Sequence, residues 1–119
     1  MNNEHHKINY IEIPATDLKI VKTFFEYVFD WVFTDYGSDY ISFSNAGIKG
    51  GFYQSELKSR VENGAVLLVF YSAELKLTMN KINQSGGKVS KPIFDFPGGC
   101  RFHFLDPAGN EYGVWSESK

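Results

Sequence analysis

The chain carries one module twice. Asp17-Leu18-Lys19 recurs as Glu74-Leu75-Lys76 fifty-seven residues later. Each time the motif follows an apolar, β-prone run (residues 8–13 and 65–71) and opens a stretch with helical spacing. Further on, residues 43–53 (FSNAGIKGGFY) line up with residues 104–115 (FLDPAGNEYGVW), and Ala46-Gly47 matches Ala108-Gly109 at an offset of sixty-two. The growth of the offset gives the second copy a slightly longer middle. A repeat governs every later assignment, because each copy is one supersecondary unit.

The elements of a copy follow from its periods. Thr16 and Asp17 are both N-cap types, and Leu18, Val21, Phe25, Val28 and Phe29 fall on one helical face. That helix should stop near Asp30, a residue that tolerates the left-handed conformation, before the strand-like Trp31-Val32-Phe33. In the second copy Leu75, Met79 and Ile82 make the stripe, and Gly86-Gly87 supplies the stop. Three strand candidates follow each helix, separated by turn chemistry at 36–39, 45–47, 96–99 and 106–110. Each copy therefore reads βαβββ. Module one covers about 7–54, a polar linker without a period covers 55–63, and module two covers about 64–117, all within a single domain spanning 1–119. The expected class is α+β, two tandem βαβββ modules forming a curved mixed sheet around a cavity, with helices on the outer face.

Composition narrows the partners. The chain's 119 residues suffice for one sizeable core and not for two. Aromatic residues reach 17%, so rings line the interior or a pocket. A net charge of -2 with dispersed Lys and Arg offers no positive field for nucleic acid. No apolar run has the length of a membrane span, and residues 1–7 lack the apolar stretch of a signal peptide, so no membrane partner is expected and the location is read as cytoplasmic. The lone Cys100 cannot form an internal disulfide and reads as a small buried hydrophobe.

With residues 10–17 (YIEIPATD), Phe24-Phe25-Glu26-Tyr27-Val28-Phe29-Asp30-Trp31, and the turn Phe104-Leu105-Asp106-Pro107-Ala108-Gly109-Asn110-Glu111, essentially the whole chain resembles the glyoxalase / bleomycin resistance / extradiol dioxygenase superfamily, the vicinal oxygen chelate fold. Asp30 stands where that family usually has Gly. The resemblance implies a divalent metal held by four His, Glu or Gln ligands related by the internal repeat. Those positions fall here on Tyr10, Gly51, Leu67 and Gly113, which is not a ligand set for a hard or borderline cation. No metal and no other cofactor is therefore expected. His5 and His6 do not read as a metal site. The resemblance also implies a homodimer, since resistance-type members hold their ligand between subunits.

Strand side chains alternate, so residues two apart share a face. On the faces of the four positions lie Tyr10 with Glu12, Gly51 with Tyr53, Leu67 with Val69 and Gly113 with Trp115. The strand before the Asp-Pro turn adds Arg101 and His103, with Phe102 and Phe104 on its helix side, and the offset of sixty-one gives Tyr40 and Ser42 as their counterparts. Glu12 and His103 are the candidate catalytic residues. Tyr10, Tyr40, Ser42, Gly51, Tyr53, Arg101, Gly113 and Trp115 are the candidate ligand-binding ones. Each has a plainer alternative: Glu12 solvated at an edge, His103 a hydrogen-bonded structural residue, Arg101 paired with Glu12, the rings packed in a core. Two functions fit: a small-molecule-binding or drug-sequestering protein, and a metal-independent lyase or isomerase related to lactoylglutathione lyase. The partner in both is a small organic molecule, and the cavity can lie within one chain or across a dimer.

Overall fold

A computed structural model describes residues 3–119. Its elements run β1 (Tyr10–Ala15), α1 (Leu18–Phe29), β2 (Val32–Asp35), β3 (Tyr40–Ser44), β4 (Lys49–Gln54), β5 (Leu68–Tyr71), α2 (Leu75–Gln84), β6 (Lys88–Phe96), β7 (Gly99–Leu105) and β8 (Glu111–Ser116), with a short 3-10 turn at Val61–Asn63 in the connection. This is the βαβββ unit twice. Each unit forms a four-stranded mixed sheet, in the orders β1-β4-β3-β2 and β5-β8-β7-β6, with a parallel pair at the β1 or β5 end. Among the described residues no helix is long and apolar enough to cross a membrane.

Local chemistry sets the helix ends. The Asp17 carboxylate accepts the free backbone N–H groups of Lys19 and Ile20, both at 3.1 Å, which satisfies donors the first turn leaves open. Asp30 closes α1 in the left-handed region (φ 59°) and returns its N–H to Glu26. The second helix lacks a side-chain N-cap, and Gly86 (φ 98°) follows its end. On β6, Pro92 lies where the ladder with β7 slips between Lys91 and Phe94. An edge strand with a bulge tolerates the missing N–H.

Helix α1 lies between the two sheets and joins them into one core. Its Phe25 stacks on Trp31 (4.4 Å between centroids) and Phe52 (5.6 Å) of the first sheet, and meets Tyr112 (5.4 Å) and Phe70 (6.4 Å) of the second. Phe29 stacks on Phe70 at 4.0 Å, and Phe24 reaches Phe104 at 6.0 Å. Phe70 on β5 also lies 5.8 Å from Trp31, which stands beside the edge of the first sheet remote from β1. Phe70 of β5 thus joins α1 against the first sheet's apolar side. Each fully buried ring of this kind contributes roughly 1.5–3 kcal/mol relative to exposure. The eight strands stay as two sheets of four, with their apolar sides sharing this core.

The Asp-Pro turn fastens the two units. Asp106, buried, accepts from the backbone of Ala108 (2.8 Å) and Asn110 (3.1 Å) and from the Tyr112 hydroxyl (2.7 Å). Asn110 in turn donates to the Pro14 carbonyl of β1 at 2.7 Å. Gly109 takes φ 88° within this turn, a conformation that side chains with a Cβ adopt only with strain. Burial pushes the Asp106 carboxyl up despite these donors, and burial followed by the neighbouring Asp106 charge pushes the Tyr112 phenol up as well.

Candidate functional site

Because both apolar sides turn inward, the opposite face of each sheet turns outward. The register defines both outward faces. In the first sheet Glu12 pairs with Gly51, which pairs with Ser42, while Tyr40 pairs with Tyr53. In the second, Val69 pairs with Gly113, which pairs with His103, while Arg101 pairs with Trp115. Phe102 and Phe104 are fully buried on the other side. The sequence-derived residues thus fall into two groups: Tyr10, Glu12, Tyr40, Ser42, Gly51 and Tyr53 on the first face, Arg101, His103, Gly113 and Trp115 on the second. Each group is brought together, but within one chain the two groups are not. Leu67 lies just before β5.

The first face is internally satisfied. The Tyr40 hydroxyl donates to Glu12 Oε2 at 2.9 Å, so its contact with the Tyr10 hydroxyl at 2.5 Å is a bond donated by Tyr10. Burial, then the bonds to Tyr10 and Glu12, push the Tyr40 phenol well above its ordinary range. Tyr40 reaches this position by leaning over Gly51. A Cβ added at Gly51 would collide with its hydroxyl and with the Ile41 carbonyl oxygen, 2.8 Å away. Tyr10, Tyr40, Ser42, Thr34 and Lys49 line the hollow over this face, about 570 Å³.

The second face is unfinished. Imidazole nitrogen Nδ1 of His103 lies 2.9 Å from Glu111 Oε2, and the other Glu111 oxygen accepts from the Val61 N–H at 3.1 Å. Burial raises the Glu111 carboxyl, but His103, the Val61 N–H and the Arg60 charge more than offset it and hold the group below the usual carboxylate range. Glu111 is therefore ionised at neutral pH, which places a His103 proton on Nδ1 and leaves Nε2 as the other ring nitrogen. Nε2 is buried with no hydrogen-bond partner, and so is Nε of Arg101. The Arg101 guanidinium lies 5.2 Å from the centroid of Phe94 and 5.7 Å from that of Phe96. Lys91, opposite His103 in the ladder, sits over Phe94 at 4.3 Å. Trp115 meets Phe96 and Tyr71 edge-on at 6.2 and 5.1 Å. Val69, Phe96, Arg101 and Trp115 border an open recess of about 220 Å³.

Glu111, Lys91, Phe94 and Phe96 were not among the residues expected from the sequence. Parity alone reaches Glu111, two positions before Gly113. The aromatic pair was hidden by the slip around Pro92, which breaks the alternation of β6. The expected alternative of an Arg101–Glu12 pair does not form, since the two stand on different sheets; among the described residues Arg101 has no carboxylate partner, and Glu12 accepts from Tyr40.

The residues at the family's metal positions do not fit a divalent ion. Tyr10 supplies one phenol, Leu67 and the two glycines supply nothing, and Tyr40 fills the space in front of Gly51. Among the described residues no three His, Cys, Asp or Glu side chains converge.

No curated protein matches the sequence. Solved structures match it over nearly its full length. A genomically encoded fosfomycin resistance protein of Listeria monocytogenes superposes with a TM-score of 0.78 at 19% identity, covering 95% of this chain and 94% of that one. A glyoxalase-related enzyme from Fulvimarina pelagi gives 0.76 at 17%, covering 93% and 88%. A lactoylglutathione lyase from Agrobacterium tumefaciens gives 0.69 at 21%, covering 96% of each. At these identities the likeness is one of fold. A sequence model of the Glyoxalase/Bleomycin resistance protein/Dioxygenase superfamily matches residues 7–114, nearly all of both βαβββ units, and the chain belongs to that superfamily.

Proposed function

We propose that this protein binds a small organic molecule without a metal of the family type and sequesters it unchanged. Members of the superfamily bind small molecules and often form dimers. The observation that carries the reading is the pair of buried, unpartnered nitrogens on a ring-lined face, Arg101 Nε and His103 Nε2. Buried polar groups nearly always have partners, and a recess bordered by Arg101, Phe96 and Trp115, with His103 on the same strand face, suits a flat ligand with a polar end. A ligand panel read by thermal shift, alongside an assay for turnover of the same compounds, tests it: stabilisation without turnover is expected, and stabilisation by none overturns it.

Both outward faces are concluded to act together across a homodimer, with the first face of one copy opposite the second face of the other. Charge supports this pairing, since Glu12 stands on the first face and Arg101 and Lys91 on the second. Light scattering at micromolar concentration should give a dimer; a monomer counts against it. The cytoplasm is the proposed location, and cell fractionation checks it.

One observation favours a second reading, a metal-independent lyase or isomerase. His103 is oriented by Glu111 with Nε2 free, the arrangement a general base requires. On that reading Glu12→Gln and His103→Gln keep ligand binding and abolish turnover.

A further inference from the structure

We propose that the second face holds an oxyanion subsite, in which Arg101 Nε and His103 Nε2 receive a carboxylate or similar group of a ligand whose flat apolar body lies against Trp115 and Phe96. The inference rests on the small-molecule reading above and names its ligand class. The two residues are two apart on one strand face, so their Cα atoms lie about 6–7 Å apart along β7, and both nitrogens are buried without a partner. His103 is itself 5% exposed. A guanidinium without a carboxylate partner, stacked on rings that shield it from water, is matched in shape and charge by an oxyanion.

Space and charge around the subsite agree with this assignment. A Cβ built at Gly113 meets only ordinary contacts, Val69 at 3.5 Å and His103 at 3.6 Å, so the glycine leaves room beside the imidazole. The charged groups around His103 are Glu111 on Nδ1, Lys91 across the ladder and Arg101 on its own strand, with Arg60 acting on Glu111 from the connecting segment. Glu117, at the far end of the face, is engaged by the Tyr71 hydroxyl. With Nδ1 donating to Glu111, Nε2 is a lone pair in the neutral ring and an N–H donor in the imidazolium. An oxyanion is held at Nε2 in the imidazolium form, where that nitrogen is a donor.

The sequence supplies its own reporters. Its only arginines are Arg60 and Arg101 and its only tryptophans Trp31 and Trp115. Arg60 Nε already donates to the Gly109 carbonyl and Trp31 is buried in the core, so each serves as an internal control. The full chain is titrated with 2-naphthoate and separately with 2-naphthamide, of the same shape without the charge, and followed by the Arg Nε–H and Trp indole N–H signals in ¹H–¹⁵N spectra. Naphthoate should bind at least about tenfold tighter, moving the Arg101 and Trp115 signals and leaving those of Arg60 and Trp31 in place. Arg101→Gln should erase the preference while the amide still binds, with Arg101→Lys as a second variant should the first unfold. His103→Ala should weaken naphthoate binding and leave naphthamide binding in place. Equal affinity for the two probes, with no movement at Arg101 Nε–H, overturns the subsite and leaves the small-molecule reading standing. Binding of neither probe overturns the subsite, and the panel above then decides the broader reading.

Discussion

The outward faces of the two sheets derive from equivalent positions of the repeat and end in opposite states. On the first, Gly51 lies beneath Tyr40, whose hydroxyl links Tyr10 to Glu12. On the second, the equivalent Gly113 would take a Cβ at ordinary contact distance, and the counterpart of Tyr40 is Arg101, with its Nε unpartnered. The same backbone supports both, so the difference lies in a few side chains. The repeated module keeps its core side, where Phe52 and Val114 are both fully buried, and diverges on its outward side. On the proposed reading, recognition belongs to the second copy and the first acts as a finished wall.

The sharpest way to break this contrast is to place the same methyl group on both glycines. Gly51→Ala should lower stability by up to about 3 kcal/mol, the range for forcing atoms into filled space. Gly113→Ala should stay within about 0.5 kcal/mol. Urea unfolding measures both, and Tyr40→Ala should rescue Gly51→Ala in a double-mutant cycle; equal losses at the two glycines would erase the distinction. Ligand affinity sharpens it next. Trp115→Ala should weaken 2-naphthoate binding by roughly 1–2 kcal/mol, whereas Tyr53→Ala, the ring on the wall, should cost less than about 0.5 kcal/mol by titration calorimetry. Comparable losses would give the first face an equal share in recognition.

A comparable effect is expected at the hydroxyl chain. Tyr40→Phe removes both hydrogen bonds of the Tyr40 hydroxyl on a half-buried face and should destabilise by about 1–2 kcal/mol, without changing naphthoate affinity. The smallest concerns acid. The Glu111 carboxyl is held below its ordinary value of 4.5, so its contribution to stability is complete above that value and fades as pH falls through the depressed one. Glu111→Gln should flatten that part of the acid unfolding curve.

Much of this architecture is legible in the residues. The offsets of fifty-seven, sixty-one and sixty-two reappear as ladder register: Glu12 and Val69 each face a glycine, and so do Ser42 and His103. Asp17 and Asp30 mark the helix ends because capping is a local matter. Alternation also separates Arg101 and His103 from Phe102 and Phe104. What periodicity lacks is how the two sheets meet through α1, since a shared apolar core reads the same whether the polar faces meet or look apart. The lean of Tyr40 over Gly51 is likewise invisible, as it depends on a rotamer across two strands. Glu111 was within reach of the same alternation, but its place after Asp106-Pro107-Ala108-Gly109-Asn110 reads as the tail of a turn.

The position of α1 has a consequence for how the duplication can be taken apart. Phe24, Phe25 and Phe29 are encoded in the first copy, yet they bury against Phe70, Phe104 and Tyr112 of the second. Cutting the chain between the copies would strand those rings in water on one fragment and bare their partners on the other. Neither fragment keeps a closed core, so the halves are copies in ancestry and a single unit in folding. Heat or urea should melt them together in one transition.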